Sequence, residues 1–272
     1  MFPVLFNLPL PWGTVPVFSY GTMIAIAFLL TYLYVCRLAA KRGIDDEHIT
    51  DLYLVIIITS IFGARMNYVV SNWAEYRNNL ASIPKVWEGG MVYLGGFIGA
   101  MLGGLGYLTL RRLPWGPYYD MFSPAVPFAC ALGRVGCFLN GCCFGIACDL
   151  PWAMHFPMRT GAGPEPRHPT QIYEMIMLFA ICAFMHRYYL RNRRPGMSMV
   201  VFVYLYSLDR FIIEFFRAES TYEHYLFGLT LGQSTSILVV ALAAVAHMWI
   251  RFRTPAGPTP PEIEAQLKKA AA

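Results

Sequence analysis

Seven runs of about 20 largely apolar residues constrain this chain more than any other feature; they cover roughly 17–40, 49–70, 91–110, 119–140, 170–190, 198–216 and 231–251. A helix rises about 1.5 Å per residue, so 20 residues match a hydrocarbon core about 30 Å thick. Five runs are clear, while the second and fourth are interrupted by polar residues or prolines. Composition agrees: 57 % of the 272 residues are hydrophobic and 14 % charged, where a soluble domain carries roughly a quarter charged. The expected fold is an all-α integral membrane protein, with seven transmembrane helices within 1–253 and a tail over 254–272.

The ends and the loops set the orientation. The opening "MFPVLFNLPLPWGTVPVF" has prolines and no basic leader, so it is read as an interfacial segment anchored by Trp12 rather than a cleavable signal peptide. The closing "TPAGPTPPEIEAQLKKAAA" is read as a mobile tail. Alternate connections hold Arg37, Lys41 and Arg42, then Arg111 and Arg112, then Arg187, Arg191, Arg193 and Arg194, then Arg251, Arg253, Lys268 and Lys269. Short loops rich in Lys and Arg stay cytoplasmic. The other face mixes Arg77, Lys85, Arg159 and Arg167 with Glu75, Glu88, Asp149 and Glu165. The N-terminus is therefore expected outside and the C-terminus inside. This asymmetry accounts for the net charge of +5, and no nucleic-acid partner is needed to explain it.

Charged residues within a membrane run are costly and mark function. In the expected topology Tyr20, Arg65, Asn67, Arg134, Asn140, His168, Gln171, Glu174, Arg210, Glu214 and Arg217 fall in the outer half, together with the run "GGMVYLGG"; Asp120, at an inner helix end, is the main exception. Convergence from six runs points to one polar cavity on the outer side. Tyr206, Arg210, Glu214 and Arg217 follow at spacings of four, four and three, which is one helical face. Three arginines with Glu214 as the one evident acidic partner leave positive charge for an anion such as phosphate. The plainer readings are an internal Arg–Glu brace and, for Arg217, snorkelling to the interface. In "GGMVYLGGFIGAMLGGLG" the glycines recur every four residues. Gly99 to Gly104 suit close helix packing, whereas the outer glycines, among them Gly95 and Gly96, are expected to keep the backbone irregular at the cavity wall.

The motifs "GARMNY", "WEGGMVYLGGFIG", "GRVGCFLNGCCFG", "RHPTQIYE" and "YSLDRFIIEFFR", in this order between about Tyr20 and Gln233, resemble the prolipoprotein diacylglyceryl transferase family. The resemblance implies a bacterial inner-membrane enzyme with seven spans. Such an enzyme moves the diacylglyceryl group of phosphatidylglycerol onto the thiol of a lipobox cysteine in a prolipoprotein signal peptide, at a periplasmic site. It implies that Arg134 holds the lipid phosphate and that Arg210 assists the reaction. Tyr20, Asn140, Gly145, Tyr206 and Glu214 match family positions tied to function, and Arg65, Gly95 and Gly96 are added as substrate-contacting candidates. Three positions depart from the pattern: Leu94 replaces a histidine proposed as a base, Cys137 an asparagine, and Cys142 a glutamate. Two branches follow, one running the same reaction with another proton acceptor, which is favoured, and one a paralogue with a changed donor or acceptor.

Such a displacement needs a neutralised leaving phosphate and a thiolate nucleophile, because a free thiol has a pKa of roughly 8.5. Arginine charge near the incoming thiol would favour its ionised form. His168 is the nearest alternative base, and its place before a proline at a helix start equally suits a structural role. No cofactor is expected. Cys137, Cys142, Cys143 and Cys148 are spaced five, one and five, without the Cys-x-x-Cys pair of metal sites. The spacing ranks packing of small residues first, then a disulfide from Cys142 or Cys143 to Cys148, then a metal; a cysteine acting as covalent lipid acceptor is the sharpest alternative. A transporter or lipid-binding protein is the competing class, disfavoured by one-sided polar residues and no evident internal repeat.

Overall fold

A computed structural model describes residues 1–10, 13–44, 46–77, 79–86, 89–218 and 228–263. Trp12, Glu88, Lys268 and Lys269 lie outside the described residues, as do the side chains of Tyr93 and Leu94. A long helix forms in each of the seven apolar runs: α1 Ser19–Ala40, α2 Asp46–Ser71, α4 Tyr93–Leu110, α5 Trp115–Asn140, α6 Thr170–Arg191, α7 Met197–Ile213 and α8 Leu231–Arg253, with one turn of helix, α3, at Trp73–Tyr76. α1, α5, α8 and Glu47–Ser71 of α2 are long and apolar enough to cross a membrane by length and composition. The apolar part of α4, Gly95–Leu110, is shorter. α7 has 17 residues, and α6 carries Glu174 and Arg187. Outward faces are apolar: Leu29, Phe62, Leu102, Phe184, Leu242, Val245 and Trp249 are all exposed, as lipid-facing helices require.

Two features depart from the reading of the sequence. Val4–Leu10 and Gly13–Phe18 pair as an antiparallel hairpin, β1–β2, leading into α1. α5 also continues as helix through Pro124 and Pro127, where the sequence reads as interrupted. A helical proline removes one backbone hydrogen bond without ending the helix when neighbours hold it, and α1, α6 and α7 all pack on α5.

The bundle is divided by depth. Val35, Leu38, Ile49, Leu52, Leu108, Tyr118, Met121, Phe122 and Tyr189 form one buried apolar cluster. These residues sit late in α1, α4 and α6 and early in α2 and α5, so the core occupies one end. Asp120 is at this end too. It accepts from the backbone N–H groups of Gly196 at 2.8 Å and Met199 at 3.1 Å, so its buried carboxylate caps the start of α7. The exception in the depth pattern is therefore a helix cap.

α2 and α4 form the tightest pair, and the four-residue glycine spacing explains it. A Cβ on Gly95 would strike the carbonyl of Gly63, one on Gly99 the carbonyl of Thr59, and one on Gly103 the Thr59 side chain. This corrects the expectation for Gly95 and Gly96: both lie in regular helix and let backbones approach. The irregular backbone is at Gly89 and Gly90, whose φ values are +88° and +72°. Gly99→Ala should lower stability by about 1–3 kcal/mol through overpacking. Gly106→Ala, which meets open space, should be neutral in the same thermal unfolding measurement in detergent micelles.

Candidate active site

The end opposite the apolar core is polar, and α5, α6, α7 and α8 each deliver a side chain to it. Arg134, in the last two turns of α5, donates from Nη2 to Oε1 of Glu174 on α6 at 2.6 Å. Arg210, at the end of α7, reaches the same Glu174 oxygen at 3.8 Å and Oε2 of Glu214 at 3.3 Å. Glu174 is only 2 % exposed, so one buried carboxylate bridges two guanidinium groups. The expectation that three arginines face one acid is corrected here: Glu174 stands between Arg134 and Arg210, and Asp209, with both carboxylate oxygens lacking hydrogen bonds among the described residues, lies within electrostatic reach. Among the described residues, Glu174 takes one hydrogen of Arg134 Nη2, so one two-nitrogen edge of the planar guanidinium remains for an incoming anion.

Glu214 is fixed from the far side by the start of α8. Thr230 Oγ1 donates to Glu214 Oε1 at 3.1 Å and accepts from the Gln233 backbone N–H at 3.1 Å. Gln233 Oε1 accepts in return from the Thr230 N–H at 3.2 Å. This capping box ties the N-terminus of α8 to the site. Gly232 is needed there, because a Cβ would lie 2.6 Å from the Glu214 carboxyl.

The connection from α5 to α6 folds over this end. Gly145 N donates to His168 O at 2.9 Å, and Ile146 N to Phe216 O at 2.9 Å, stitching the loop to the starts and ends of α6 and α7. Gly145 allows that approach; a side chain would strike the Phe216 carbonyl. Thr170 Oγ1 donates to Cys143 O and Gln171 Nε2 to Cys142 O, each at 2.7 Å. His168 is 9 % exposed, with Nδ1 3.2 Å from the Tyr173 hydroxyl and its ring edge-on to Phe216. Trp152 Nε1 donates to the same hydroxyl at 2.8 Å. These aromatics, with Leu150, Met177, Ile212 and Ile213, line an apolar groove of about 390 Å³.

Other candidates fall in two groups. Tyr20, at the start of α1, packs on Gly136 and lies within electrostatic reach of Arg134. Tyr206 stands one turn before Arg210, beside Phe202, and interacts electrostatically with Arg134. Asn140 ends α5, two residues before Cys142 and within its electrostatic reach. Arg65 is not brought into the ion network. Its guanidinium donates to the carbonyls of Ile83 at 2.7 Å, Ser82 at 2.9 Å, and Gly89 and Gly90 at 2.6 and 3.2 Å. It organises the loop before α4.

All seven cysteines are free. The Sγ atoms of Cys137, Cys142 and Cys143 lie within 4.8 Å of one another, so Cys142 and Cys143 gather on Cys137, and neither is bonded to Cys148. Gly141 in the left-handed conformation, φ +80°, and Cys143 at φ +65° curl the chain back over the end of α5. The Cys142 thiol donates to the Cys137 carbonyl at 3.7 Å.

Sequence reasoning gave Glu174 a depth and no role, and it missed Asp209 and Thr230. Each had a signal. Glu174 closes the "RHPTQIYE" motif, Asp209 precedes Arg210, and "TLGQ" at 230–233 has the spacing of a capping box.

Known proteins carry the same chain pattern. The family model for prolipoprotein diacylglyceryl transferase matches residues 3–249. Phosphatidylglycerol–prolipoprotein diacylglyceryl transferase of Geobacter sulfurreducens is 32 % identical over 259 residues, covering 92 % of this chain and 96 % of that one. The protein of the same name from Photobacterium profundum is 33 % identical over 254 residues, covering 91 % and 94 %. That from Thermosynechococcus vestitus is 32 % identical over 243 residues, covering 86 % and 87 %. With a family model matching residues 3–249 and relatives about a third identical over nearly its whole length, this chain belongs to the prolipoprotein diacylglyceryl transferase family.

Proposed function

We propose that the protein transfers the diacylglyceryl group of phosphatidylglycerol to the cysteine thiol of a prolipoprotein, forming a thioether and releasing glycerol phosphate. The observation that carries this reading is the Arg134–Glu174–Arg210–Glu214 network at one end of an otherwise apolar bundle. Arg134 takes the lipid phosphodiester on the guanidinium edge that Glu174 leaves open. Glu174 holds its guanidinium in orientation, and Arg210, steadied by Glu214, meets the charge that grows on the departing phosphate. Interactions of this kind act more strongly in a water-poor site than in water. Tyr20, Asn140 and Tyr206 line the approach to Arg134, and Gly145 keeps the covering loop close. His168 serves as a positioning residue, its ring locked by Tyr173 and Phe216. The apolar groove beside it suits hydrocarbon, whether an acyl chain or the apolar stretch of a signal peptide.

The same reading places seven spans in the bacterial cytoplasmic membrane, with the ion network on the periplasmic side and residues 254–272 in the cytoplasm. The basic residues at the opposite end support it: Arg187, Arg191, Arg193, Arg194 and Arg251 line one groove there. A reporter fused after Arg253 should be active only in its cytoplasmic form; activity of a periplasmic reporter would reverse the orientation. The reaction itself is tested by glycerol phosphate release from phosphatidylglycerol in detergent micelles. Release should require a peptide with a free lipobox cysteine. Lipid uptake or movement with no release would favour a lipid-binding or transporting protein.

A further inference from the structure

We propose that Cys137, Cys142 and Cys143 form a three-thiolate site for a thiophilic divalent cation, of which Zn²⁺ is the expected occupant, and that its open fourth position takes the thiol of the incoming cysteine. The inference rests on the transferase reading above.

Three observations carry it. The three sulfurs lie within 4.8 Å of one another, and zinc–thiolate bonds of about 2.3 Å in a tetrahedral or trigonal set place sulfurs about 3.8–4.0 Å apart, so a small contraction closes the site. The cluster is also held in place: the carbonyls of Cys142 and Cys143 are bound by Gln171 and Thr170, and the N–H groups of Gly141 and Cys142 donate to Cys137 O at 2.9 and 3.1 Å. Cys143 keeps a left-handed conformation, φ +65°, uncommon for a residue with a side chain. Finally, one sulfur is buried while Cys142 and Cys143 are half-buried. The cluster thus opens on one side, and Arg134 lies within electrostatic reach of Cys137 and Cys143.

Three protein ligands plus one exchangeable position is the arrangement of a reactive zinc site rather than a closed structural one. A thiol that coordinates the ion is deprotonated outright. The acceptor thiol would displace the bound water, and its proton would leave to solvent. The zinc-bound thiolate then attacks C3 of the lipid glycerol. A carbon–sulfur bond forms, the carbon–oxygen bond breaks, and its electron pair leaves on the phosphate oxygen as glycerol phosphate beside Arg134. A thioether is a weaker ligand than a thiolate, so the product departs and water returns.

The test uses the full chain, purified in detergent with reductant and without air, and titrated with Co²⁺ and Zn²⁺. About one equivalent of Co²⁺ should bind with the absorption of a thiolate-rich tetrahedral site. Adding a lipobox peptide without lipid should shift that spectrum toward four thiolates, and its Cys→Ser version should not. Cys148→Ser should bind metal normally, whereas Cys143→Ser should weaken binding at least about tenfold. Should Cys143→Ser fold poorly, alkylation of the wild type decides the matter: Zn²⁺ should protect three of the seven cysteines. No metal uptake, no protection, full transfer by the metal-free protein, or a disulfide within the cluster in protein isolated without reductant would each overturn the proposal. Full transfer without metal would leave the transferase reading standing. A peptide-induced spectral shift with no glycerol phosphate release would instead sink that reading.

Discussion

Arg134→Ala should remain folded and lose about a hundredfold or more in glycerol phosphate release. Its guanidinium is what α5 contributes to the ion network, and among the described residues Glu174 takes one hydrogen of Nη2 and leaves one edge open to an anion. Losing one transition-state contact of this type removes about 3 kcal/mol, on the order of a hundredfold in rate. Arg134→Lys keeps the charge and loses the planar fork, so it should bind lipid weakly and turn over slowly. An arginine that only braced helices would show its loss first in unfolding temperature and yield. Near-normal transfer by Arg134→Ala, or a loss fully explained by missing folded protein, would remove the phosphate role.

The second large effect is expected at Glu174. Its carboxylate is buried between Arg134 and Arg210, and removing one member of a buried pair leaves uncompensated charge, at about 3–5 kcal/mol. Glu174→Ala should therefore unfold at a clearly lower temperature and lose transfer, because both guanidinium groups lose their common anchor. Glu174→Gln keeps the shape and should recover part of the stability with little of the activity. If Glu174→Ala kept its unfolding temperature and bound phosphatidylglycerol more tightly, the carboxylate would be a competitor of the phosphate and not its organiser.

These expectations show what kind of feature was legible in the sequence. A run of apolar residues is local, so the helices stand close to where hydropathy puts them: 17–40 is observed as Ser19–Ala40 and 170–190 as Thr170–Arg191. The hairpin was hidden because Pro9 and Pro16 lie inside its strands, and proline is a poor strand signal except at an edge. Arg65 read as a cavity charge because its depth was right; its partners are backbone carbonyls, which no sequence displays. Glu174 lies 40 positions from Arg134, so only folding shows the pair. The cysteines were ranked by their spacing along the chain, and the left-handed turn at Gly141 and Cys143 makes that spacing a poor guide to distance.

The most direct test is the mass of the acceptor. A peptide carrying a lipobox cysteine, incubated with phosphatidylglycerol and the purified protein, should gain one diacylglyceryl group on the cysteine sulfur. One glycerol phosphate should appear for each peptide modified, and Arg134→Ala protein should leave the peptide unchanged. A peptide that keeps its original mass with the wild-type protein, across neutral and mildly alkaline pH and with Zn²⁺ present, would contradict the account.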